Sequence, residues 1–218
     1  RTRLSVASDL SDALRVFVQL QDVRTFGEEA STLGDFSADA LDLHQAWVEL
    51  GSESEMLGLR VGRQEAVYGG QRLIGAVNWT QQGRSFDGAR LRIGEQGARA
   101  RVDAFGFQLS EAASPVRDTD ASFLGAYGTL DVDPSRTLEL YALLRQVEAG
   151  SEDTEEATTG LRYVASTGPV DYRVEGALQF GQREGVDVGA WFFGARAGTA
   201  FAEGDGTVTL WYDHLSGN

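Results

Sequence analysis

Long runs in which apolar and polar residues alternate one by one are the feature that most narrows what this chain can fold into. Between Val170 and Arg183, the residues Val170, Tyr172, Val174, Gly176, Leu178 and Phe180 share one face. Asp171, Arg173, Glu175, Ala177, Gln179 and Arg183 share the other. A period of two belongs to β-strands, whose side chains point to alternate faces. A strand about 13 residues long exceeds the usual five or six and is long enough to cross a bilayer at a tilt. The division recurs. Leu14, Val16, Val18 and Leu20 oppose Arg15, Gln19 and Gln21. Leu57, Leu59 and Val61 oppose Arg60 and Gln64, and Leu91 and Ile93 oppose Arg90 and Arg92. Leu138, Leu140, Ala142 and Leu144 oppose Glu139, Tyr141 and Arg145. Trp191, Phe193, Ala195 and Ala197 oppose Arg196, and Val208, Leu210 and Tyr212 oppose Thr207, Thr209 and Asp213. With weaker segments included, about twelve strands are expected, most of them about 9 to 15 residues long.

The connections alternate between tight and long. Glu95-Gln96-Gly97, Asp133-Pro134-Ser135, Thr167-Gly168-Pro169 and Glu203-Gly204-Asp205-Gly206 read as short hairpin turns. Residues 27–39, 110–120 and 148–156 read as longer acidic loops. Residues 65–82, rich in Gly, Gln and aromatics without a clear period, read as one long irregular loop. Short turns at one end and longer loops at the other describe an all-β, antiparallel up-and-down transmembrane β-barrel. No composition break divides the chain, so residues 1–218 are expected to form a single barrel domain. Only 3 prolines interrupt it, which suits long paired strands. The mean hydropathy of -0.25 excludes a bundle of membrane helices but not a barrel, whose strands are apolar on one face only. Aromatics near strand ends (Trp47, Tyr163, Tyr172, Trp191, Phe192, Trp211, Tyr212) suit an interfacial girdle or a packed core. A soluble β-sandwich or solenoid is the alternative architecture.

The net charge of -14 argues against nucleic acid as a partner, because no basic surface dominates. All 19 basic residues are Arg, and cysteine is absent, so there is neither disulfide nor thiolate chemistry. The opening Arg1-Thr2-Arg3-Leu4 lacks the apolar region of a signal peptide, so an exported chain would begin after processing or inside a longer precursor. No phosphate loop, zinc spacing or dinucleotide fingerprint occurs. His44 and His214 stand in no hydrolase motif, which leaves a Ser-His lipase a remote option. The acidic loops lack the Asp-x-Asp-x-Asp-Gly spacing of a calcium loop. No enzyme activity, metal or cofactor is expected.

The stretch Gly62-Arg63-Gln64-Glu65-Ala66-Val67-Tyr68-Gly69-Gly70-Gln71-Arg72-Leu73-Ile74-Gly75 is followed by Asn78-Trp79-Thr80-Gln81-Gln82-Gly83-Arg84-Ser85-Phe86-Asp87-Gly88. Together they resemble the signature of the alginate-export family of outer-membrane β-barrels. Leu43-His44-Gln45-Ala46-Trp47-Val48-Glu49-Leu50 looks like that family's preceding strand, and Gln21-Asp22-Val23-Arg24 is similar to a segment of its members. The clear match spans residues 13–93. The resemblance implies a bacterial outer-membrane channel, in a Gram-negative cell, that passes an anionic polysaccharide or related anion by passive diffusion. It also implies a larger barrel of 18 strands. Because Trp211 to Asn218 reads as an interior strand, this chain is expected to be a portion of such a barrel, without its C-terminal strands and one at the start.

Arg60, Arg90, Arg92, Arg101, Arg145, Arg162 and Arg173 fall on the polar faces of separate strands. In a barrel those faces converge on one lumen, where rings of Arg favour anions and pair bidentately with carboxylates. The alternative for each Arg is a lumen carboxylate such as Asp103, Glu139, Asp171 or Glu175. Acidic residues gather instead in the loops (Glu28, Glu29, Asp118, Asp120, Glu152, Asp153, Glu155, Glu156). Within the signature, Arg63, Arg72 and Arg84 are expected to face the lumen. Gly62, Gln64, Tyr68, Gly75, Trp79, Phe86 and Asp87 are expected to shape the loop, with Arg84 and Asp87 pinning it by an ion pair. The expected partners are an anionic solute or polysaccharide, outer-membrane lipid, and proteins of the periplasm or cell surface. Two other readings follow from the same pattern. One is a non-transporting scaffold barrel plugged by Tyr141, Trp47 and the 65–82 loop. The other is a soluble β protein.

Overall fold

The computed structural model describes residues 1–23, 39–52, 54–80, 82–111, 120–148, 153–201 and 206–217. They form twelve strands and no helix among the described residues. The strands are β1 (Thr2–Ser11), β2 (Leu14–Val23), β3 (Asp39–Leu50), β4 (Leu57–Gln64), β5 (Phe86–Ile93) and β6 (Ala100–Glu111). There follow β7 (Asp120–Asp133), β8 (Arg136–Glu148), β9 (Thr154–Thr167), β10 (Val170–Arg183), β11 (Val186–Phe201) and β12 (Gly206–Leu215). The hydrogen-bonded order follows the chain from β1 to β12, an antiparallel up-and-down sheet as expected. The acidic positions Glu28, Glu29, Asp118 and Glu152, and the 203–205 turn, lie outside the described residues. The chain divides into two compact units, Arg1–Arg92 and Ile93–Asn218.

In the first unit the apolar face carries Val16, Val18 and Leu20 of β2 beside Leu43, Val48 and Leu50 of β3. One interruption matters. Gln19 pairs with Gln45 and Leu20 with Leu43, so His44 is an extra residue in β3. Such a bulge re-aims a side chain, and His44 turns inward, 2% exposed, beside Gln45. The irregular loop expected at 65–82 is present and runs from Glu65 to the start of β5 at Phe86.

The second unit has clean alternation. On β10 the outer face is apolar from Val170 to Phe180 and becomes polar at Gln182. At about 3.4 Å per residue and a tilt near 40°, that stripe spans about 25 Å, the height of a barrel's apolar band. The cross-strand neighbours of Gln182 are Glu155 and Asp187, and the row continues through Gln146, Ser122 and Gln108. Polar side chains thus end the apolar face on six strands together. Leu140, Leu161, Leu178, Trp191 and Leu210 of that face are exposed. A row of large exposed apolar side chains is unsuited to water and suited to lipid.

The girdle expectation needs correction. Tyr163, Tyr172, Trp191 and Tyr212 do lie on the outer face, where Tyr163 and Tyr172 pack at 6.1 Å. Trp47 in the first unit, and Phe192 and Trp211 in the second, lie on the polar face of their own strands instead, because their register partners are Gly62, Ala177 and Arg196.

Candidate functional site

In the first unit the inner face is occupied by the 65–85 loop, which is pinned by one carboxylate. Glu65 accepts from Arg3 Nη1 at 3.0 Å, His44 Nε2 at 2.8 Å and Asn78 Nδ2 at 3.2 Å. Its own amide donates to Gln45 Oε1 at 3.1 Å. Arg3 also donates to Gln21 Oε1 and Asn78 Oδ1, while Gln21 Nε2 reaches the Gln82 carbonyl. The bulge at His44 is what delivers the imidazole to this cluster. Inside the loop, Tyr68 N bonds the Ile74 carbonyl and Arg84 N the Ala76 carbonyl. Ala66, Ile74, Ala76 and Phe86 are buried there. The loop is therefore a folded element with a small core, docked through polar contacts.

The signature positions separate into distinct roles. Arg60 donates to Glu49, with Nε at 2.8 Å, and lies 3.8 Å above the Trp47 ring, which in turn stacks on Phe17. Arg15 and Arg90 are near enough to repel Arg60. Arg15, the cross-strand partner of Glu49, and Arg60 thus flank that carboxylate on one face. Arg90 Nε is buried without a hydrogen-bond partner among the described residues.

Arg63 departs from the expectation. It pairs in register with Ala46, on the apolar face with Val61 and Leu59, and forks onto Asp87 at 2.8 and 2.7 Å. The partner of Asp87 is thus Arg63 and not Arg84. The Arg84 side chain is exposed in the loop, as are Arg72 and Trp79, the last 74% exposed. Gln64 is fully buried, its Nε2 reaching the carbonyls of Gly62 and Gly88 at 3.3 Å. Gly75 is buried against Gln71, and Tyr68 is half-buried.

Arg92 is no lumen cation. It is 8% exposed, and its guanidinium donates to the Ser52 and Glu55 carbonyls at 2.8 and 2.9 Å, closing the turn between β3 and β4.

The inner face of the second unit is a ladder of Arg and carboxylate. Glu139 accepts from Arg162 and from Tyr127 Oη, the latter at 2.9 Å. Tyr141 stacks on Tyr127 at 5.7 Å and points its hydroxyl toward Glu175 at 3.4 Å. Glu156, 3% exposed, accepts from Arg145 at 2.8 Å and from Arg183 Nε at 2.7 Å. Arg101 faces Asp131 at 3.3 Å, and Arg196 faces Asp171 at 3.8 Å. Arg173 lies 5.9 Å from the Trp211 ring. Glu155 and Glu156, assigned above to a loop, belong to β9. Beyond the apolar stripe, at the end of β7, Asp133 accepts from the Ser135 hydroxyl and amide at 2.8 and 2.9 Å. Those bonds hold its carboxyl below the ordinary range.

A profile of proteins of alginate export matches residues 1–218, the whole chain. The chain belongs to the alginate export family. A search of curated proteins gave no significant match. Membership extends the resemblance seen over residues 13–93 to both units. It places this alginate-export protein in the outer membrane, where the strands with one apolar and one polar face are those of a β-barrel. In that setting the polar face of each strand, with the Arg and carboxylate groups above, is the one turned from lipid. Sequence inspection had missed Glu49, Glu65, Glu156 and His44 as partners. The strand parity of Glu49 signals its place, whereas His44 depends on a bulge that alternation does not announce.

Proposed function

We propose that this chain lines an outer-membrane passage through which an acidic polysaccharide diffuses passively. The 65–85 loop is its constriction, and the inner-face arginines are transient partners for the polymer's carboxylates. The observation that carries the reading is the segregation of Arg101, Arg145, Arg162, Arg173, Arg183 and Arg196 to one face of the second unit, opposite an exposed apolar face. Most of these cations already hold a carboxylate. A polyanion must then exchange with internal acids, which keeps each attachment brief, and conduction needs binding weak enough to release. Arg-rich surfaces select acids by charge and by the planar fork of the guanidinium.

The test is a reversal potential in planar bilayers under a salt gradient. The parent channel is expected to prefer anions. Arg90→Glu combined with Arg145→Glu is expected to move the preference toward cations, and an unmoved potential would refute the Arg-lined passage. A second reading, a non-conducting scaffold, is favoured by the docked loop and by Trp47, 8% exposed. It predicts no conductance either in the parent or after Glu65→Ala frees the loop.

A further inference from the structure

The outer face of the second unit differs between its two ends. Toward the long loops it is edged by Gln146, Glu155, Gln182 and Asp187. Toward the short turns it carries a cation instead. Among the described strand residues, Arg136 is the one Arg on the outer face of β6–β12. It stands in one cross-strand row with Ala165 and Tyr172, and Tyr163 lies one row further into the apolar stripe. These larger side chains close over Ala165, which is 1% exposed. The Tyr163 hydroxyl interacts with that of Tyr172, within reach of the charge of Arg136. The Arg136 side chain is nonetheless 49% exposed, and its one ion pair among the described residues, to Asp133, is 3.6 Å long. Asp133 is already engaged by the Ser135 hydroxyl and amide.

Deeper along the same face the sheet is hollow. Gly176 follows Tyr172 and Val174 on β10, between Leu161 of β9 and Phe193 of β11. Among the described residues, a Cβ added there would meet the Phe192 carbonyl oxygen at 3.6 Å and no side chain within 4 Å. Leu161, Val174, Leu178, Trp191 and Phe193 rim a groove of about 680 Å³ over this glycine. From Tyr172 to Gly176 the strand rises about 14 Å, or about 10 Å of depth at a tilt near 40°. That lies inside the roughly 15 Å of one leaflet. Strands β8–β11 are paired on both sides, so neither feature sits at a sheet edge.

We infer that this face holds one glycerophospholipid of the periplasmic leaflet, its phosphate on Arg136 and the tyrosine hydroxyls and one acyl chain in the groove over Gly176. The inference rests on the outer-membrane placement of the chain and is independent of what passes along the polar face. Short turns mark the periplasmic side of such a barrel, and Pro134 and Gly168 lie in the short turns beside Arg136 and Tyr172. Phosphate oxygens accept from the guanidinium fork, and tyrosine suits a boundary that is apolar on one side and wet on the other. A free phosphate would need the cation but not the groove, and a tail without phosphate would need the groove but not the cation. The combination suits a molecule that is anionic at its head and aliphatic below it.

The full-length protein in detergent is titrated with phosphatidylglycerol and, separately, with diacylglycerol of the same chains, and bound lipid is counted by native mass spectrometry. One phosphatidylglycerol is expected to bind saturably, about tenfold tighter than diacylglycerol, the scale of one charge-assisted contact. Arg136→Gln is expected to erase that difference, and Arg136→Lys, which keeps the charge, to retain most of it. Gly176→Leu, which fills the groove, is expected to weaken both lipids alike. Gly128→Leu, on the same face of β7, is expected to change neither. Equal binding of the two lipids by the parent, or phosphatidylglycerol binding unaltered in either Arg136→Gln or Gly176→Leu, overturns the site. So does equal weakening by Gly128→Leu and Gly176→Leu, the mark of a general lipid belt. A lipid-free dimer of the parent, the mark of a second copy on this face, overturns it as well.

Discussion

Removing the Glu65 carboxylate should release the 65–85 loop from the inner face of β1–β3. Three side chains converge on that carboxylate, at 3.0 Å from Arg3, 2.8 Å from His44 and 3.2 Å from Asn78. The Arg3 and Glu65 side chains are 20% and 21% exposed, so water weakens the ion pair without abolishing it. A charge-assisted bond at the low end of its range and two weaker ones sum to about 3 kcal/mol, or roughly a 150-fold rise in the fraction of open loop. The assay follows from the composition, because the chain contains no cysteine. Ala76 is fully buried inside the loop, so Ala76→Cys becomes a thiol that a maleimide reaches only on opening. Labelling in the Glu65→Ala background should run roughly 100-fold faster than in the Ala76→Cys parent. Arg63→Gln, which removes the outward pair with Asp87, should leave the rate unchanged. A Glu65→Ala rate close to that of the parent would refute the single-carboxylate anchor.

Glu156→Gln should leave Arg145 and Arg183 without their shared counter-charge and increase anion preference in the bilayer reversal potential; an unchanged potential would remove these groups from the conducting face. Arg92→Ala should destabilise the first unit by about 2–4 kcal/mol, because two turn carbonyls lose charged donors and the buried side chain leaves a gap, and a lowered thermal midpoint in detergent is the measurement. Gly62 has φ +125°, and a Cβ there would sit 2.3 Å from the Ala46 carbonyl oxygen. Gly62→Ala should therefore cost about 2–3 kcal/mol in urea unfolding, whereas an unaffected midpoint would mean that the strand relaxes freely at this position.

Strand existence and face assignment were legible because alternation is a local property. β10 runs from Val170 to Arg183, the bounds its pattern indicates. Parity alone also places Arg63 with Leu59 and Val61, and Trp211 opposite Leu210 and Tyr212. The signature suggested the lumen for Arg63 and strand-end aromaticity a girdle for Trp211, and in both cases the pleat overrode those cues. Other features were out of reach of any local pattern. His44 faces inward through a one-residue insertion in β3. Arg92 is drawn to carbonyls of Ser52 and Glu55, whose orientation depends on how the turn closes. Glu156 meets Arg183 only because β9 and β10 pair in one register. Which Arg holds which acid is decided across strands, and spacing along the chain does not carry it.

In the second unit two aromatic rings on the polar face rest on residues that have no side chain. A Cβ on Gly125 would meet the Phe105 ring at 2.4 Å, and one on Gly160 the Tyr141 ring at 2.5 Å. Each ring therefore reclines in the hollow its glycine leaves, against the wall, as aromatic groups do when they cover glycine in a sheet. Any larger residue at either position would push the ring away from the sheet, into the passage proposed above. The relief of that face can thus be changed without touching a single charge.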